Sequence, residues 1–160
     1  AGCGSHLKDH GIPNVIDVSE LLVDPPARAA RKPLPIAVAF QDSCHLKHAQ
    51  RIEAEPRAAL AAIPGLRLLE PAEQELCCGS AGIYNLVQLA AARELGDRKA
   101  ACVLATEPDA YASANPGCLV QVTAALRRAG RPVAAFHPIE LVDASIRGLD
   151  AADVLREARR

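Results

Sequence analysis

The stretch IAVAFQDSC, residues 36–44, decides the fold of this chain. Its first five residues form a compact apolar run of strand length, and a cysteine follows soon after. Similar short runs recur along the 160 residues and alternate with longer segments of helical composition. The predicted strands are residues 36–40, 66–69, 109–114 and 132–136, and the predicted helices are 48–63, 81–106 with a break near Gly96, 119–129, 138–146 and 150–160. Strands that alternate with helices predict an α/β domain with a mainly parallel sheet and flanking helices.

Four cysteines follow these predicted strands. Cys44 comes just after the first strand, Cys77 and Cys78 lie in the loop after the second, and Cys118 follows the third. The carboxyl ends of parallel strands lie along one edge of a sheet, where ligands bind. Helices that begin nearby would stabilise thiolates through their amide donors and dipoles. We therefore expect the four thiols to converge at the carboxyl ends of the strands.

Six cysteines would also fit a disulfide-rich secreted scaffold, but their arrangement argues against it. Such scaffolds are usually short and poor in core residues, whereas half of this chain is hydrophobic. The neighbours Cys77 and Cys78 could bridge each other only with severe backbone strain. We therefore expect reduced thiols in a reducing compartment. The other two cysteines are predicted to lie outside the site, Cys102 as a core cysteine on an Ala-rich helix and Cys3 as a free thiol.

The spacing of the four cysteines bears on the metal that they would bind. Structural zinc sites usually combine two close pairs such as Cys-x-x-Cys, and here the only close pair is directly adjacent. Neighbouring side chains diverge, so they suit two metal atoms better than one, and iron–sulfur clusters offer several metal atoms to thiolates. Three alternatives stay open: an iron–sulfur centre, a zinc-stabilised interaction module and a thiol enzyme. In the last, Cys44 or Cys118 would be the nucleophile and His45 or His137 the base.

The chain contains an internal repeat. Gly2-Cys3 and Gly117-Cys118 each open a helical stretch, and a short strand-like run follows, residues 14–18 in one case and 132–136 in the other. The segments ELLVD (20–24) and ELVD (140–143) come next. Asp17 and His137 each precede the glutamate of these segments by three residues, which is the spacing of a helix capping box.

This repeat and the composition predict the organisation of the chain. We expect residues 1–24 to be the C-terminal remnant of a first repeat, 25–35 a Pro-rich linker or surface loop, 36–147 the second domain and 148–160 a C-terminal helix. The chain has no methionine and opens inside a cysteine motif, so we also expect it to be part of a longer protein.

Composition argues against two classes of function. The net charge is −1 and only two Phe and two Tyr are present, so a stacking platform for single-stranded nucleic acid in a basic groove is not expected. No apolar run reaches the length of a transmembrane helix, and no signal peptide is recognisable. We therefore expect no nucleic-acid partner, no transmembrane segment and a cytoplasmic location.

Three segments resemble the cysteine-rich CCG domain. They are DSCHL (42–46), CCGSAGIYN (77–85) and NPGC (115–118). This domain occurs twice in one of the subunits of heterodisulfide reductase and in related iron–sulfur oxidoreductases, and the last two segments resemble in particular the iron–sulfur subunits of glycolate oxidases. The resemblance implies that Cys44, Cys77, Cys78 and Cys118 hold an iron–sulfur cluster of the 4Fe-4S type, with zinc as the alternative.

The chain departs from the heterodisulfide reductase pattern at one position. That branch has Cys, then Cys-Cys, then Cys-x-x-Cys, and five thiolates bind a noncubane 4Fe-4S centre. Here Asn115 stands in place of the first cysteine of Cys-x-x-Cys, which leaves the cluster type open. We expect Asn115 to belong to the turn that presents Cys118, and Gly79 to let the backbone approach the metal. His45 is expected either to hydrogen-bond a sulfur or to lie at a solvated helix start.

The resemblance also implies a function. Such a subunit passes electrons to an acceptor from a flavin-containing subunit, which oxidises a 2-hydroxy acid such as glycolate. A ferredoxin-like N-terminal region of the same full-length protein would carry two further clusters. We therefore expect an electron-transfer domain of an oxidoreductase that is not catalytic by itself, in the cytoplasm or peripheral at the inner face of the membrane. Lactate-utilisation and heterodisulfide reductase-like subunits share the pattern and are the alternatives.

Overall fold

Four parallel strands form the centre of the molecule. The computed structural model describes residues 1–23 and 29–158. Within these residues the strands are β1 (Ala37–Gln41), β2 (Arg67–Leu69), β3 (Ala110–Ser113) and β4 (Ala134–Phe136). They form one sheet in the order β2-β1-β3-β4, and every neighbouring pair is parallel. The predicted parallel α/β fold is confirmed.

Helices cover both faces of this sheet. Those of the described residues are α1 (Gly2–Asp9), α2 (Val18–Leu22), a π-helical turn (His45–Ala49), α3 (Ala54–Ala61), α4 (Tyr84–Val87), α5 (Leu89–Leu104), α6 (Pro116–Arg128), α7 (Pro138–Arg147) and α8 (Ala151–Glu157). Leu60 of α3 and Leu141 of α7 belong to the core on one face, and Val103 of α5 and Val122 of α6 to the core on the other. Strands covered on both sides are apolar throughout, which explains the continuous run at the start of β1. In the part of the chain that the structure describes, none of these helices has the length and apolar character needed to cross a bilayer.

The path of the chain across the sheet reverses after β2. From β1 the chain moves to β2 at one edge, and it then crosses to β3 and β4 on the other side of β1. In open α/β sheets such a reversal opens a crevice at the carboxyl ends of the two strands that it separates, which are β1 and β3 here. The topology therefore favours a binding site between the residues that follow Gln41 and those that follow Ser113.

Two predicted helices have different boundaries in the structure. The segment 48–63 is divided between the π-helical turn and α3, because Arg51 between them has a φ of 59° and lies outside the helical region. The segment 81–106 breaks at Gln88, between α4 and α5, and the predicted break near Gly96 is wrong. Gly96 lies inside α5 and faces α6, where a Cβ would be 3.1 Å from Nε2 of Gln121. This glycine permits close helix packing and does not end the helix.

The predicted strand at residues 14–18 is also wrong. Asn14 has a φ of 60°, a left-handed conformation that an extended strand does not contain. Asp17 then caps α2: its carboxylate accepts a hydrogen bond from the Ser19 N–H at 3.1 Å, and its own N–H donates to Glu20 at 2.6 Å. The capping box indicated by the repeat is therefore present, although no strand precedes it.

Residues 29–35 of the predicted linker are held against the turn that follows α3 and against α7, while its residues 25–28, and residue 24 before them, lie outside the described residues. Leu34 is fully buried, and its N–H donates to the carbonyl of Pro64 at 2.9 Å. Lys32 donates its N–H to the carbonyl of Ser145 at 3.1 Å, and the Ser145 hydroxyl donates to the Lys32 carbonyl at 2.7 Å. The described part is therefore a packed connection. The last two residues of the predicted C-terminal helix also lie outside the described residues, and the domain boundaries stay a prediction.

Candidate metal centre

Four cysteines from three separate segments line one cavity at the carboxyl edge of the sheet. They are Cys44, Cys77, Cys78 and Cys118, and the cavity that they share has a volume of about 250 Å³. Cys78 and Cys118 are buried, Cys77 is half-buried and Cys44 is exposed. The Sγ atoms of Cys78 and Cys118 are 3.3 Å apart. The thiols therefore extend from the protein interior to its surface at the crevice that the topology predicts.

Cys44 is the most exposed of the four thiols. It directly precedes the π-helical turn, and its Sγ lies 3.6 Å from Nδ1 of His45. His45 also lines the cavity, and it is exposed as the first residue of the π-helical turn, so its contact with a sulfur and its place at a solvated helix start occur together. Partial burial, and then the neighbouring Cys77 thiol, raise the pKa of Cys44. Both causes disfavour the thiolate form of Cys44.

Two side chains fix the loop that carries Cys77 and Cys78. The amide of Gln74 donates to the carbonyl of Phe40 at 2.8 Å and accepts from the N–H of Asp42 at 3.0 Å, so it ties the loop to the end of β1. From the opposite side, the ammonium group of Lys99 donates to the carbonyl of Glu73. The Leu76 N–H donates to this same carbonyl at 3.0 Å and so closes a turn just before Cys77. The loop is held between β1 and α5.

Lys99 places a charged group in the interior behind this loop. Its side chain is 1% exposed on the face of α5 that packs against the sheet. Burial lowers the pKa of Lys99, while the Cys102 and Cys78 thiols favour its charged form. The lysine therefore supplies a local positive charge close to a site that would carry several thiolates.

A salt bridge network supports the other side of the site. Arg57 of α3 donates to both carboxylate oxygens of Asp42, at 2.7 and 3.0 Å, and to both oxygens of Glu70, at 2.8 and 2.9 Å. Asp42 lies two residues before Cys44, and Glu70 follows β2. Bidentate pairs of this kind fix geometry as well as charge. The network therefore joins α3, the end of β1 and the start of the Cys77 loop.

Cys118 lies in the first turn of α6, and Asn115 caps that helix. The Asn115 side-chain oxygen accepts from the N–H groups of Gly117 at 2.8 Å and Cys118 at 3.4 Å. Pro116 occupies the first helical position, where its fixed φ and missing N–H cost nothing. Asn115 also lines the cavity beside the cysteines. Asn115 therefore lies in the turn that leads into Cys118, where the sequence predicts it.

The two buried thiols interact directly. The Sγ atoms of Cys78 and Cys118 share a hydrogen bond, which lowers the pKa of Cys78 and raises that of Cys118. Burial adds to the increase for Cys118. In the absence of metal, one proton is therefore retained between these two sulfurs, and a metal centre would have to displace it.

The remaining cysteines and histidines lie away from the cavity. Cys3 is exposed on α1, and none of the six cysteines forms a disulfide, as expected for reduced thiols. The prediction that Cys102 is a core cysteine is wrong: its thiol is partly exposed and contacts Glu73 at 3.5 Å, because it lies beside the buried face of α5. His137 accepts from the Ile139 N–H at 3.3 Å and caps α7. His48 is the exception, because it lines a narrow recess together with the four cysteines, where its ring lies 3.4 Å from the carboxylate of Glu75.

The sequence prediction did not identify Gln41, Tyr111 or Lys99. Gln41 lines a narrow recess together with the four cysteines, and the Tyr111 hydroxyl donates to its side-chain oxygen at 2.6 Å. The positions of Gln41 and Tyr111 in apolar strands were a signal, because a polar side chain on a buried strand needs a partner, whereas Lys99 lies among other charged residues of α5. The identity of that partner depends on tertiary contacts.

The donor set fits a centre of several metal atoms better than a single ion. In residues 1–23 and 29–158, no group of three or more His, Cys, Asp or Glu side chains is arranged so that it could hold a metal ion. The four thiols instead surround a cavity, as cluster ligands do, whereas zinc ligands meet around one ion.

Comparison with known proteins identifies the family. Residues 38–123 match CCG, the cysteine-rich domain family. The chain belongs to the CCG family. The matched part of this CCG domain contains all four cysteines of the cavity, and it extends from β1 into α6.

Three relatives of this CCG domain are components of oxidoreductases, as their names state. A protein of Bacillus subtilis (strain 168) named "Probable glycolate oxidase iron-sulfur subunit" is 38% identical over 124 residues, which cover 78% of this chain and 26% of that protein. A CoM/CoB fumarate reductase subunit from Methanothermobacter marburgensis is 35% identical over 149 residues, 89% of this chain and 30% of the relative. The glycolate oxidase iron–sulfur subunit of Escherichia coli (strain K12) is 32% identical over 162 aligned positions, 91% of this chain and 38% of the relative. The CCG domain chain thus spans about a quarter to two fifths of the length of these relatives.

Proposed function

We propose that this chain holds an iron–sulfur cluster on Cys44, Cys77, Cys78 and Cys118 and serves as an electron-transfer domain of an oxidoreductase. The observation that carries the proposal is the convergence of these four thiols, from three separate segments, on one cavity at the carboxyl edge of the sheet. The names of the glycolate oxidase relatives support iron–sulfur chemistry. The cluster would be of the 4Fe-4S type, and it would supply reversible uptake of one electron.

The residues around the thiols have distinct roles in this proposal. The helix start capped by Asn115 presents Cys118, and the loop held by Gln74 and Lys99 presents the adjacent pair Cys77 and Cys78. Lys99 offsets part of the negative charge that thiolates and sulfide would bring into the interior. The buried thiols exclude water from one side, and the exposed Cys44 leaves the other side open for electron exchange with a partner.

The proposal extends to the whole protein through its relatives. We infer that the complete protein takes part in the oxidation of a 2-hydroxy acid, with glycolate as the first candidate. Electrons would arrive from a flavin-containing subunit, and a ferredoxin-like region of the same protein would exchange electrons with this domain. We assign this assembly to the cytoplasm or to the inner face of the membrane. The relatives' names support the glycolate assignment.

Anaerobic reconstitution tests the cluster assignment. The parent chain is reconstituted with iron and sulfide, and bound iron, sulfide, zinc and the visible and electron paramagnetic resonance spectra are measured. We expect broad visible absorption with iron and sulfide in equal amounts. Changing Cys77 or Cys78 to Ser should abolish cluster binding, because each removes a thiolate from a loop outside the core strands. The α/β fold, followed by circular dichroism, should remain.

The two cysteines outside the cavity provide matched controls. Cys3→Ser and Cys102→Ser remove a thiol each, and both variants should bind the same amount of iron as the parent. Colourless protein with one zinc ion would favour the zinc-stabilised module and contradict the cluster assignment. If the protein binds no metal and a thiol-specific reagent modifies Cys44, this result would favour a thiol enzyme. Full iron content in both Cys77→Ser and Cys78→Ser would show that the ligand set is wrong.

A further inference from the structure

A buried amide lies beside the four cysteines. Gln41, the last residue of β1, is 2% exposed and lines the narrow recess that all four cysteines also line. The hydroxyl of Tyr111, a fully buried residue of β3, donates to Oε1 of Gln41 at 2.6 Å. Neither side chain is a candidate ligand. The presence of these two large polar side chains in the interior beside the cysteines therefore needs another explanation.

Strand register explains why the two side chains meet on the side of the cysteines. Ala39 lies opposite Tyr111 and Gln41 lies opposite Ser113 in the parallel pair β1 and β3. Residues two apart in a strand point to the same face, so Gln41 shares a face with Ala39 and Tyr111. Ala39 and Tyr111 belong to the same core cluster as Cys78 and Cys118.

The hydrogen bond from Tyr111 determines which end of the amide faces the recess. A side-chain amide has one acceptor oxygen and one donor NH₂ group. A separation of 2.6 Å is typical of O–H···O hydrogen bonds and is short for N–H···O, so the oxygen faces the tyrosine. Because this oxygen is engaged, the NH₂ group is the part of Gln41 left to line the recess.

We propose that Tyr111 orients Gln41 so that its amide N–H groups point at the metal centre and donate to a ligand sulfur or a cluster sulfide. This inference rests on the proposed function, because it requires a cluster on the four cysteines. Hydrogen bonds to the sulfurs are among the determinants of a cluster's reduction potential. A donor stabilises the reduced form more than the oxidised form, because the reduced form carries more negative charge. Gln41 therefore raises the reduction potential, and Tyr111 acts through it as a positioning residue.

Redox titration of reconstituted variants tests this role. In Gln41→Leu the donor is lost, and we expect the reduction equilibrium to shift about tenfold toward the oxidised form, which is about 59 mV for one electron. Gln41→Glu keeps an acceptor for Tyr111 but offers no N–H and adds negative charge, so its potential should fall at least as far. Tyr111→Phe removes only the hydroxyl that orients the amide, and we expect a smaller shift in the same direction.

A matched control is available on α6. Gln121 also carries an amide on this side of the sheet, but its NH₂ group donates to the carbonyl of Ala92 at 2.8 Å, and it does not line the recess that Gln41 shares with the four cysteines. Gln121→Leu should therefore leave the potential unchanged. A second readout is the shift of the iron–sulfur stretching bands in D₂O, which reports exchangeable protons on the sulfurs. This shift should shrink in both Gln41 variants and persist in Gln121→Leu.

The outcomes separate this inference from the proposed function. If the parent binds no iron and sulfide, both are overturned. If the parent and the Gln41 variants form the same cluster with the same potential and the same D₂O shift, only the role of Gln41 is overturned. A merely structural role would lower the unfolding midpoint of the metal-free variants and leave the potential where it was. Should a Gln41 variant fail to fold, Tyr111→Phe decides, and an unchanged potential there contradicts the proposal.

Discussion

Gly79 follows the two adjacent cysteines and has a φ of 86°. A Cβ at this position would lie 2.5 Å from the carbonyl oxygen of Ala92 and 3.0 Å from its Cα. The backbone of the cysteine loop therefore rests directly on the first turns of α5. The Gly79 N–H also donates to the sulfur of Cys77 at 3.4 Å. This contact places a backbone donor beside one of the candidate ligands, and the expected approach of the Gly79 backbone to a metal stays a prediction.

Changing Gly79 to Ala should destabilise the chain and impair cluster binding. A left-handed conformation costs an L-residue about 1–2 kcal/mol, and the close contact with Ala92 adds to this, so we expect a loss of about 3 kcal/mol in the free energy of unfolding. Urea unfolding of the metal-free protein measures the loss. Gly82→Ala is the matched control, because Gly82 has a φ of 56° but no atom within 4 Å of a Cβ. Gly82→Ala should therefore lose only the free energy that the left-handed conformation costs. Equal losses in the free energy of unfolding for the two variants would contradict a contribution from the contact with Ala92.

The ligand candidates could be placed from the sequence, whereas the residues that support them could not. Each cysteine was located by its position after a predicted strand, and parallel topology then brought the four together. Gln41 and Tyr111 are 70 positions apart in the chain, and their meeting depends on the register of β1 with β3. Lys99 is one of several charged residues on α5, and only the packing of the helix distinguishes it as buried. Register and helix rotation are tertiary properties that composition does not encode.

Two helices of the repeat begin with the same type of N-terminal cap, which is formed by different residues. Asp17 caps α2 and His137 caps α7, each in a capping box with the glutamate three residues later. The His137 N–H donates to Glu140 at 2.6 Å. An imidazole nitrogen accepts a hydrogen bond only when it is unprotonated, so the cap on α7 depends on the charge of His137. The sequence spacing predicted both boxes, because capping is a local interaction.

The cap on α7 should make stability fall at mildly acidic pH. Burial lowers the pKa of His137 in the folded chain, so the unfolded chain binds the proton more readily. The stabilisation is then complete above the ordinary histidine pKa of about 6.5 and is lost as the pH falls through the lower folded value. We expect a loss of about 1 kcal/mol, the usual value of such a cap. Urea unfolding of the metal-free chain at pH 7.5 and 5.5 measures the difference.

His137→Asp copies the residue that the repeat uses in α2. A carboxylate remains an acceptor at pH 5.5, because the ordinary pKa of Asp is about 3.9. This variant should match the parent at pH 7.5 and lose less stability on acidification. His137→Ala should be less stable already at pH 7.5, with a similarly weak pH dependence. If His137→Asp and the parent lose the same stability between the two pH values, His137 is not the group responsible.

Element boundaries were less predictable than caps because they depend on backbone angles and packing partners. Composition favoured one helix over residues 48–63, but Arg51 adopts a left-handed conformation and divides it. Glycine is a poor helix former, so the sequence predicts a helix break near Gly96. Its actual role is to admit Gln121 of α6, which bonds to the backbone of α5. For Gly96, a contact elsewhere in the fold therefore overrides the local preference.

At the scale of the whole molecule, the candidate centre joins parts of the chain that are far apart in sequence. Cys44 and Cys118 are 74 positions apart, with Cys77 and Cys78 between them. Cys44 follows β1, the adjacent pair lies in the loop between β2 and α4, and Cys118 lies in the first turn of α6. A bound cluster would therefore close two long loops at the reversal of the sheet order. Loop closure of this kind stabilises a fold by restricting the unfolded chain.

Loading the centre should stabilise the whole chain cooperatively. A ligand that binds only the folded state at a hundred to a thousand times its dissociation constant adds about 3–4 kcal/mol to the free energy of unfolding, and we expect a gain of this size on reconstitution. Anaerobic urea unfolding of the metal-free and loaded chains measures it, and chelation of the iron should return the metal-free value. Cys102→Ser should gain as much as the parent, whereas Cys118→Ser should gain little, because it disconnects α6 from the centre. Hydrogen exchange should slow at the π-helical turn, at residues 73–83 and at the start of α6 together. Slowing at only one of these segments would mean that the metal is held locally and does not join them.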